Sequence, residues 1–374
     1  MACEEIIRVL QVGMSPYYGG TEAFVMNHYR AIDRTKIQFD FLNVYNEKIA
    51  CQDEIERMGG RVYCLSMSRR NGLKKYHQGI KAFFEANSKS FDVVHCNYQS
   101  LINIDILKYA TKYGVKVRIA HAHNSGYGVE PNIMQKMILS LNRKVLPRYA
   151  THYFACSELA SKWMFGRDAT IIRNAIDSGK FVFSEAKRIE MRKKLELNDA
   201  FTVIFVGRLD PQKNPLFLLD IFSEIKRSRS NSKLIVVGDG ILKDQMLERI
   251  AQLQISDDVV MLGSRRDVND LLQAADVFLL PSLFEGLGIV LIEAQAAGLK
   301  TYASKGGIPH DVKITGLLEF ISLEQAAAEW ADIIVKEEFG KRNDTKNEIC
   351  AAGYDNHINA RLLEQLYSQL VGSA

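Results

Sequence analysis

The stretch PSLFEGLGIVLIEAQAAGL, residues 281–299, places a Gly-rich turn between an apolar strand and a helix. The apolar run DVFLLP ends at its beginning, and LKTYAS follows at its end. A strand, a turn, a helix and another strand form the repeating unit of a parallel α/β sheet covered by helices. This stretch therefore predicts an α/β fold and indicates where in the chain to look for ligand-binding loops.

The same alternation extends through the rest of the chain. In the first half, IIRVLQV, IQFDFLNV, RVYCL, FDVVHC, VKVRIAHAH and THYFAC are predicted strands, and FTVIFVG, SKLIVVG, DVVMLG, DVFLLP and LKTYAS continue the pattern in the second half. The alternation weakens through residues 171–200. We therefore predict two doubly wound Rossmann-like domains, residues 1–178 and 179–355, with a last helix at 356–374 that packs back on the first domain.

Composition excludes several classes of protein. The 374 residues are 47% hydrophobic and 25% charged, as in an ordinary globular protein. No run of about 18 apolar residues appears, and the first residues carry acids where a signal peptide carries bases. The six cysteines are scattered without the spacing of a zinc site or a disulfide framework. We expect a cytoplasmic protein.

Two glutamates and three small or apolar residues of the turn are the first candidate ligand-binding residues. Glu285 and Glu293 stand eight positions apart across the turn. Glycine lets the backbone approach a ligand, and the N–H groups at a helix start favour an anion. Glu293 lies further into the helix, and its carboxylate can accept hydrogen bonds from the hydroxyl groups of a ligand. The residues of the turn itself are Gly286, Leu287 and Gly288.

Two further loops carry groups that can bind an anion. VGRLDPQKN places Arg208 and Lys213 after a predicted strand, and SPYYGGTEAF places Gly19 and Gly20 after the first strand. Arg supplies a planar fork of donors, Lys a mobile ammonium, and Gly an unobstructed N–H.

Together these motifs resemble the GT-B glycosyltransferases of family 4, retaining enzymes that use nucleotide sugars, and most closely those of capsule and exopolysaccharide synthesis. The resemblance implies two Rossmann-like domains facing a central cleft. It places Glu285 near the hydroxyls of the donor sugar and Glu293 on the ribose. It also implies a hexose or N-acetylhexosamine, carried by a nucleotide diphosphate, as the transferred group, for which we favour UDP.

A histidine is expected on the first domain's side of the cleft. His121 and His123 end one predicted strand and lie on the same face of it. The resemblance favours His123, which precedes an Asn-Ser-Gly loop, and implies contact with the donor sugar or acceptor. It makes His123 and Glu285 the candidate catalytic residues. No D-x-D triplet occurs in the chain. We therefore expect that no metal or other cofactor is required, with the positive groups neutralising the diphosphate.

Charge is distributed unevenly between the two halves. Residues 1–175 hold 24 Lys and Arg against 15 Asp and Glu, a net charge of +9, whereas the remainder is −5. A cluster of four bases precedes a predicted amphipathic helix; we call it the basic cluster, and it consists of Arg69, Arg70, Lys74 and Lys75. We expect it to attract an anionic membrane surface on the cytoplasmic side, where a lipid-linked or oligosaccharide acceptor is available. We expect no nucleic-acid partner.

Three other functions are compatible with parts of this sequence pattern. A dehydrogenase is disfavoured because no G-x-G-x-x-G follows the first strand or later strands. A GT-B sugar-nucleotide epimerase shares the architecture and the diphosphate chemistry but transfers nothing to an acceptor. An inactive nucleotide-sugar-binding or membrane-binding module would keep the fold without turnover.

Overall fold

The computed structural model describes residues 6–65, 72–126, 130–337 and 339–374. It divides into two compact units. The N-domain comprises Met1–Ala175 with Asn356–Ala374, and the C-domain comprises Ile176–Asp355. The chain thus leaves the N-domain once and returns to it with its last helix.

The N-domain contains a seven-stranded parallel sheet in the order β3-β2-β1-β4-β5-β6-β7. Its strands are β1 (Ile7–Val12), β2 (Ile37–Asn43), β3 (Val62–Cys64), β4 (Val93–Tyr98), β5 (Val117–Ala122), β6 (His152–Ala155) and β7 (Thr170–Ile171). The inner strands are almost wholly buried, which explains their continuous apolar runs.

Helices cover both faces of this sheet. They are α1 (Gly20–Ala31), α2 (Gln52–Arg57), α3 (Leu73–Asn87), α4 (Asp105–Lys112), α5 (Ile133–Val145) and α6 (Glu158–Phe165), followed at the chain end by α15 (Asn356–Gly372). Helix α15 packs on α1 and β1 and buries Leu363 and Tyr367 in the core below them.

The C-domain repeats the design with a six-stranded parallel sheet in the order β10-β9-β8-β11-β12-β13. Its strands are β8 (Phe201–Val206), β9 (Ser232–Val237), β10 (Val259–Gly263), β11 (Val277–Leu280), β12 (Lys300–Lys305) and β13 (Leu318–Ser322). Its helices are α7 (Ser178–Phe181), α8 (Glu185–Lys194), α9 (Pro215–Ser228), α10 (Lys243–Gln252), α11 (Val268–Ala274), α12 (Ile289–Ala296), α13 (Ala327–Val335) and α14 (Lys346–Ala351).

The predicted fold class, two doubly wound α/β domains, is confirmed. Two strands went unpredicted, β7 and β13. β7 has only two residues, and β13 is an edge strand with the charged Glu319 in its middle, so neither has the apolar run of an inner strand. No helix in the described ranges is long and apolar enough to cross a membrane.

In each sheet the strand order reverses at one place, between β1 and β4 in the N-domain and between β8 and β11 in the C-domain. At such a switch point the neighbouring connections leave on opposite faces of the sheet. The loops at the carboxyl ends of the two strands then border a crevice, where ligands bind in doubly wound folds.

Candidate functional site

The switch point of the C-domain brings together two of the predicted loops. One follows β8 and carries Arg208 and Lys213, and the other follows β11 and carries Glu285 before leading into α12. Because β8 and β11 are adjacent parallel strands, their carboxyl ends lie at the same edge of the sheet.

A buried ion pair joins the two loops. The Lys213 ammonium donates to both carboxylate oxygens of Glu285, at 2.6 and 2.7 Å, and the Ser282 hydroxyl donates to one of them at 2.6 Å. The side chains of Lys213 and Glu285 are only 12% and 4% exposed. Lys213 is therefore a fixed positive charge in the ligand-free chain, rather than the mobile ammonium expected from the sequence.

Gln212 holds the same loops together from the other side. Its side-chain amide donates to the backbone carbonyl of Phe284 at 3.0 Å, and its backbone carbonyl accepts from the N–H of Leu283 at 2.8 Å. Its side-chain oxygen accepts from Arg208 at 3.2 Å. The Arg208 guanidinium, which also lies 3.3 Å from Asp210, remains 72% exposed. A diphosphate can therefore reach this guanidinium from solvent.

The turn before α12 has the conformation that its glycines predict. Gly288 is the residue before the helix and has φ +76°, a left-handed conformation that favours glycine. Gly286 is exposed, while Leu287 packs against the C-domain core. The turn thus leaves the backbone at Gly286 open to a ligand and anchors the next residue in the core.

Glu293 lies on α12 in a different environment from Glu285. Its side chain is partly buried, and its carboxylate has no hydrogen-bond partner in the described part of the chain. Burial without a partner raises the pKa of Glu293 from 4.5 to about 7. A carboxylate kept unpaired at such a cost is suited to accept hydrogen bonds from a hydroxylated ligand.

In the N-domain, Gly19 ends the loop between β1 and α1, and Gly20 follows it. The buried carboxylate of Glu22 accepts from the N–H of Ser15 at 2.8 Å and from that of Gly19 at 3.0 Å, which folds the loop over the start of α1. Gly20 begins α1, and no atom lies within 4 Å of the position of a Cβ there. Its backbone is consequently open to close approach.

His123 lies just beyond the end of β5 and is partly buried. Its Nε2 donates to the side-chain oxygen of Asn97 at 2.8 Å, because an amide oxygen can only accept. The Asn97 amide donates to Gln11 at 2.9 Å. Burial lowers the pKa of His123 to about 3, so the ring is neutral at physiological pH.

A chain of hydrogen bonds continues from Gln11 to the last helix. The Gln11 amide donates to the Tyr367 hydroxyl at 3.2 Å, which in turn donates to Nδ1 of His95 at 2.6 Å. Nε2 of neutral His95 then carries the proton and donates to Nδ1 of His121 at 2.9 Å. Helix α15 thereby takes part in fixing the ring orientations below the end of β5.

The two candidate histidines therefore occupy different positions. His121 is fully buried, its Nε2 has no partner in the described ranges, and burial holds its pKa well below 6.5. The rings of His121 and His123 stack with centroids 4.2 Å apart. Of the two, His123 is the one with surface left for a ligand.

The basic cluster is described only in part. Arg69 and Arg70 lie outside the described residues. Lys74 and Lys75 are exposed in the first turn of α3.

Several residues of these sites were not anticipated from the sequence. These residues form the hydrogen bonds that hold the candidate ligand-binding residues and their loops in place. They are Ser282, Gln212, Gln11, Asn97, His95 and Tyr367. Ser282 and Gln212 did carry a signal, since both stand in loops directly after inner strands. Tyr367 lies far along the chain from the other residues of the N-domain site, and no sequence signal pointed to it.

Comparison with known proteins identifies relatives. The family described as Glycosyl transferases group 1 matches residues 187–348. A protein named putative glycosyltransferase EpsF, from Bacillus subtilis, is 31% identical over 372 residues, 96% of each chain. The Escherichia coli enzyme UDP-Gal:alpha-D-GlcNAc-diphosphoundecaprenol alpha-1,3-galactosyltransferase is 25% identical over 311 residues, 80% of this chain and 79% of that one.

A solved structure with the same fold is HepE from Anabaena in complex with UDP and glucose. It aligns with a TM-score of 0.71 at 18% identity and covers 98% of this chain and 100% of its own. At that identity the likeness concerns the fold alone, and the predicted GT-B fold class, with two Rossmann-like domains, is confirmed.

Proposed function

Because this chain belongs to the glycosyl transferases group 1 family and is a glycosyltransferase, we propose that it transfers a hexose or N-acetylhexosamine from a UDP-sugar, with retention, during capsule or exopolysaccharide synthesis. The observation that carries the proposal is the set of charged groups at the C-domain switch point: exposed Arg208, the buried Lys213–Glu285 pair and unpaired Glu293.

These groups match the parts of a nucleotide sugar. Arg208 supplies a fork of donors for the diphosphate, and the N–H groups at the start of α12 add a positive dipole. In this proposal Glu293 accepts hydrogen bonds from the ribose hydroxyls, and Glu285 is near the hydroxyls of the donor sugar. Negative charge grows on the leaving diphosphate during transfer, so fixed positive groups stabilise the transition state more than the bound donor.

Lys213 has a particular place in this scheme. Its ammonium is already oriented by Glu285, so little reorganisation is needed when charge develops on the diphosphate. Arg208, Lys213 and the dipole of α12 take the neutralising role that a divalent cation has in other transferases. We accordingly propose a reaction that needs no metal.

The N-domain provides the acceptor side in this proposal. A neutral His123, oriented by Asn97, offers hydrogen bonds to a sugar hydroxyl without adding charge. The donor of the E. coli relative is named as UDP-Gal and its acceptor as a diphosphoundecaprenol-linked sugar. By analogy, we favour a UDP-linked donor and a lipid-linked acceptor at the cytoplasmic face of a membrane, to which the basic cluster is attracted.

The experiment is a thermal-unfolding screen of nucleotide sugars. A ligand that binds only the folded chain stabilises it by RT ln(1 + [L]/Kd), about 2.7 kcal/mol at a hundredfold excess over Kd. UDP-hexoses or UDP-N-acetylhexosamines are expected to raise the unfolding midpoint of the native chain and to raise that of the Arg208→Ala variant much less. Stabilisation by GDP-sugars or ADP-sugars alone would reject the UDP assignment.

Turnover separates transfer from the alternatives. A transferase releases UDP from the stabilising donor chiefly when an acceptor is present, whereas an epimerase interconverts the sugar without one. Binding with neither outcome, tested with a lipid-linked sugar as acceptor, would favour the inactive module.

A further inference from the structure

Helix α5 exposes an unusually apolar surface. It is well formed, with Asn132 and Gln135 exchanging hydrogen bonds at its start, each of 2.9 Å. None of its residues is buried. Five large apolar side chains are exposed on it, Ile133 (81%), Met134 (71%), Met137 (62%), Leu141 (60%) and Ile138 (37%).

These five side chains lie on one side of the helix. At 3.6 residues per turn, positions 133, 137 and 141 form one row and positions 134 and 138 an adjacent row. The opposite side attaches α5 to its domain: Leu139 packs on the core, the Asn142 amide donates to the carbonyl of Leu101 at 2.7 Å, and Arg143 donates to the carbonyls of residues 163 and 164. The apolar stripe is thus turned away from the N-domain by these contacts.

This stripe differs from the isolated apolar side chains that are common on protein surfaces. Single exposed apolar side chains are common and need no explanation, and this chain has them at Ile189 and Leu247 in the C-domain. A contiguous apolar stripe on a helix indicates a surface that becomes covered.

The charges beside the stripe indicate what covers it. Between residues 130 and 150 the chain has four basic residues and a single acid, Glu130, which pairs with Lys136 at 3.3 Å. Arg143 is bonded to the carbonyls of residues 163 and 164 on the opposite side of α5. Lys144 and Arg148 are exposed. A second copy of the chain docking on the same stripe would bring like charges together, whereas an anionic lipid surface would neutralise them.

We propose that α5 is an in-plane membrane-docking helix, whose apolar stripe inserts among the lipids of an anionic bilayer while Lys144 and, just after the helix, Arg148 contact the headgroups. An amphipathic helix with Lys and Arg beside an apolar face has the composition of such interfacial anchors. This inference rests on the proposed function in one respect: membrane docking would bring the enzyme to a lipid-linked acceptor. It gives the membrane contact a second element besides the basic cluster.

The test is flotation with vesicles of equal parts phosphatidylglycerol and phosphatidylcholine, compared with phosphatidylcholine alone. The variant carries Ile133→Ser, Met137→Ser and Leu141→Ser together. The matched control replaces three exposed apolar residues elsewhere, Ile189→Ser, Leu247→Ser and Leu362→Ser. Thermal unfolding and stabilisation by the donor are measured for each chain, so that misfolding and loss of the donor site are recognised separately.

The native chain and the control are expected to float with anionic vesicles, and the α5 variant to partition at least about tenfold less. Donor stabilisation is expected to be equal in all three. Equal flotation of the α5 variant would overturn the inference. So would a native chain that forms a dimer, dissociates when α5 is changed and does not bind vesicles. If the donor does not raise the unfolding midpoint of the native chain, that result would instead count against the proposed function.

Discussion

Replacing Glu293 with Gln is expected to stabilise the ligand-free C-domain above neutral pH while weakening donor binding. The substitution keeps the size and shape of the side chain and removes a partly buried charge that has no hydrogen-bond partner in the described ranges. A residue retained at a cost to stability is typical of a binding site.

The size and sign of the effect follow from the pKa. Burial raises the pKa of Glu293 from 4.5 to about 7, so between these values the folded chain binds a proton that the unfolded chain does not. Stability therefore falls as pH rises through this window, by about 3 kcal/mol in total. Gln does not titrate, and its advantage should be absent below about pH 4.5 and complete above about pH 7.

Fluorescence of Trp330, buried in the C-domain, reports the unfolding of that domain once Trp163, the other tryptophan, is replaced by Phe. In this background, the unfolding midpoint of the chain that keeps Glu293 is compared with that of Glu293→Gln across the pH range. Glu285→Gln is the matched control and should have the opposite effect, because it leaves the ammonium of Lys213 buried without its partner, at a cost of about 3–5 kcal/mol.

This reasoning would be refuted if the difference in unfolding midpoint between the Glu293 chain and the Gln variant did not change with pH. It would also be refuted if the Gln variant were less stable than the Glu293 chain at pH 8. Unaltered affinity for the donor in the same variant would remove Glu293 from the binding site, whatever its effect on stability.

Four further outcomes are expected. Arg208→Ala should weaken donor binding by about 1.5–3 kcal/mol without lowering the unfolding midpoint, as isothermal titration can check. Transfer should survive a chelator; abolition by chelation and recovery with manganese would show a metal requirement. Tyr367→Phe should destabilise the N-domain by about 1–3 kcal/mol, measured by urea unfolding, since Gln11 and His95 lose a shared partner. Replacing the basic cluster with Ser should reduce flotation with anionic vesicles at low salt but not at high salt, where native binding is already screened; equal flotation at low salt would exclude the cluster.

Much of the fold was predictable because inner parallel strands are buried on both faces and appear as apolar runs. β8 and β11 are of this kind, and the loops after them held Arg208 and Glu285 as predicted. The short strand β7 and the edge strand β13 lack such runs. Their pairing depends on neighbours far along the chain, which local patterns do not encode.

By itself, the sequence determined the two α/β domains, the loops that carry candidate ligand-binding groups and the family resemblance, because these depend on local periodicity and on residue types at fixed spacing. Only the tertiary structure decided which side chains form ion pairs and hydrogen bonds with one another. It paired Lys213 with Glu285, gave Glu293 no partner among the described residues, joined Tyr367 to His95 and turned the apolar stripe of α5 outward. Burial and hydrogen bonding between residues distant in sequence arise only when the strands and helices pack, and these contacts set the charge and accessibility of each side chain.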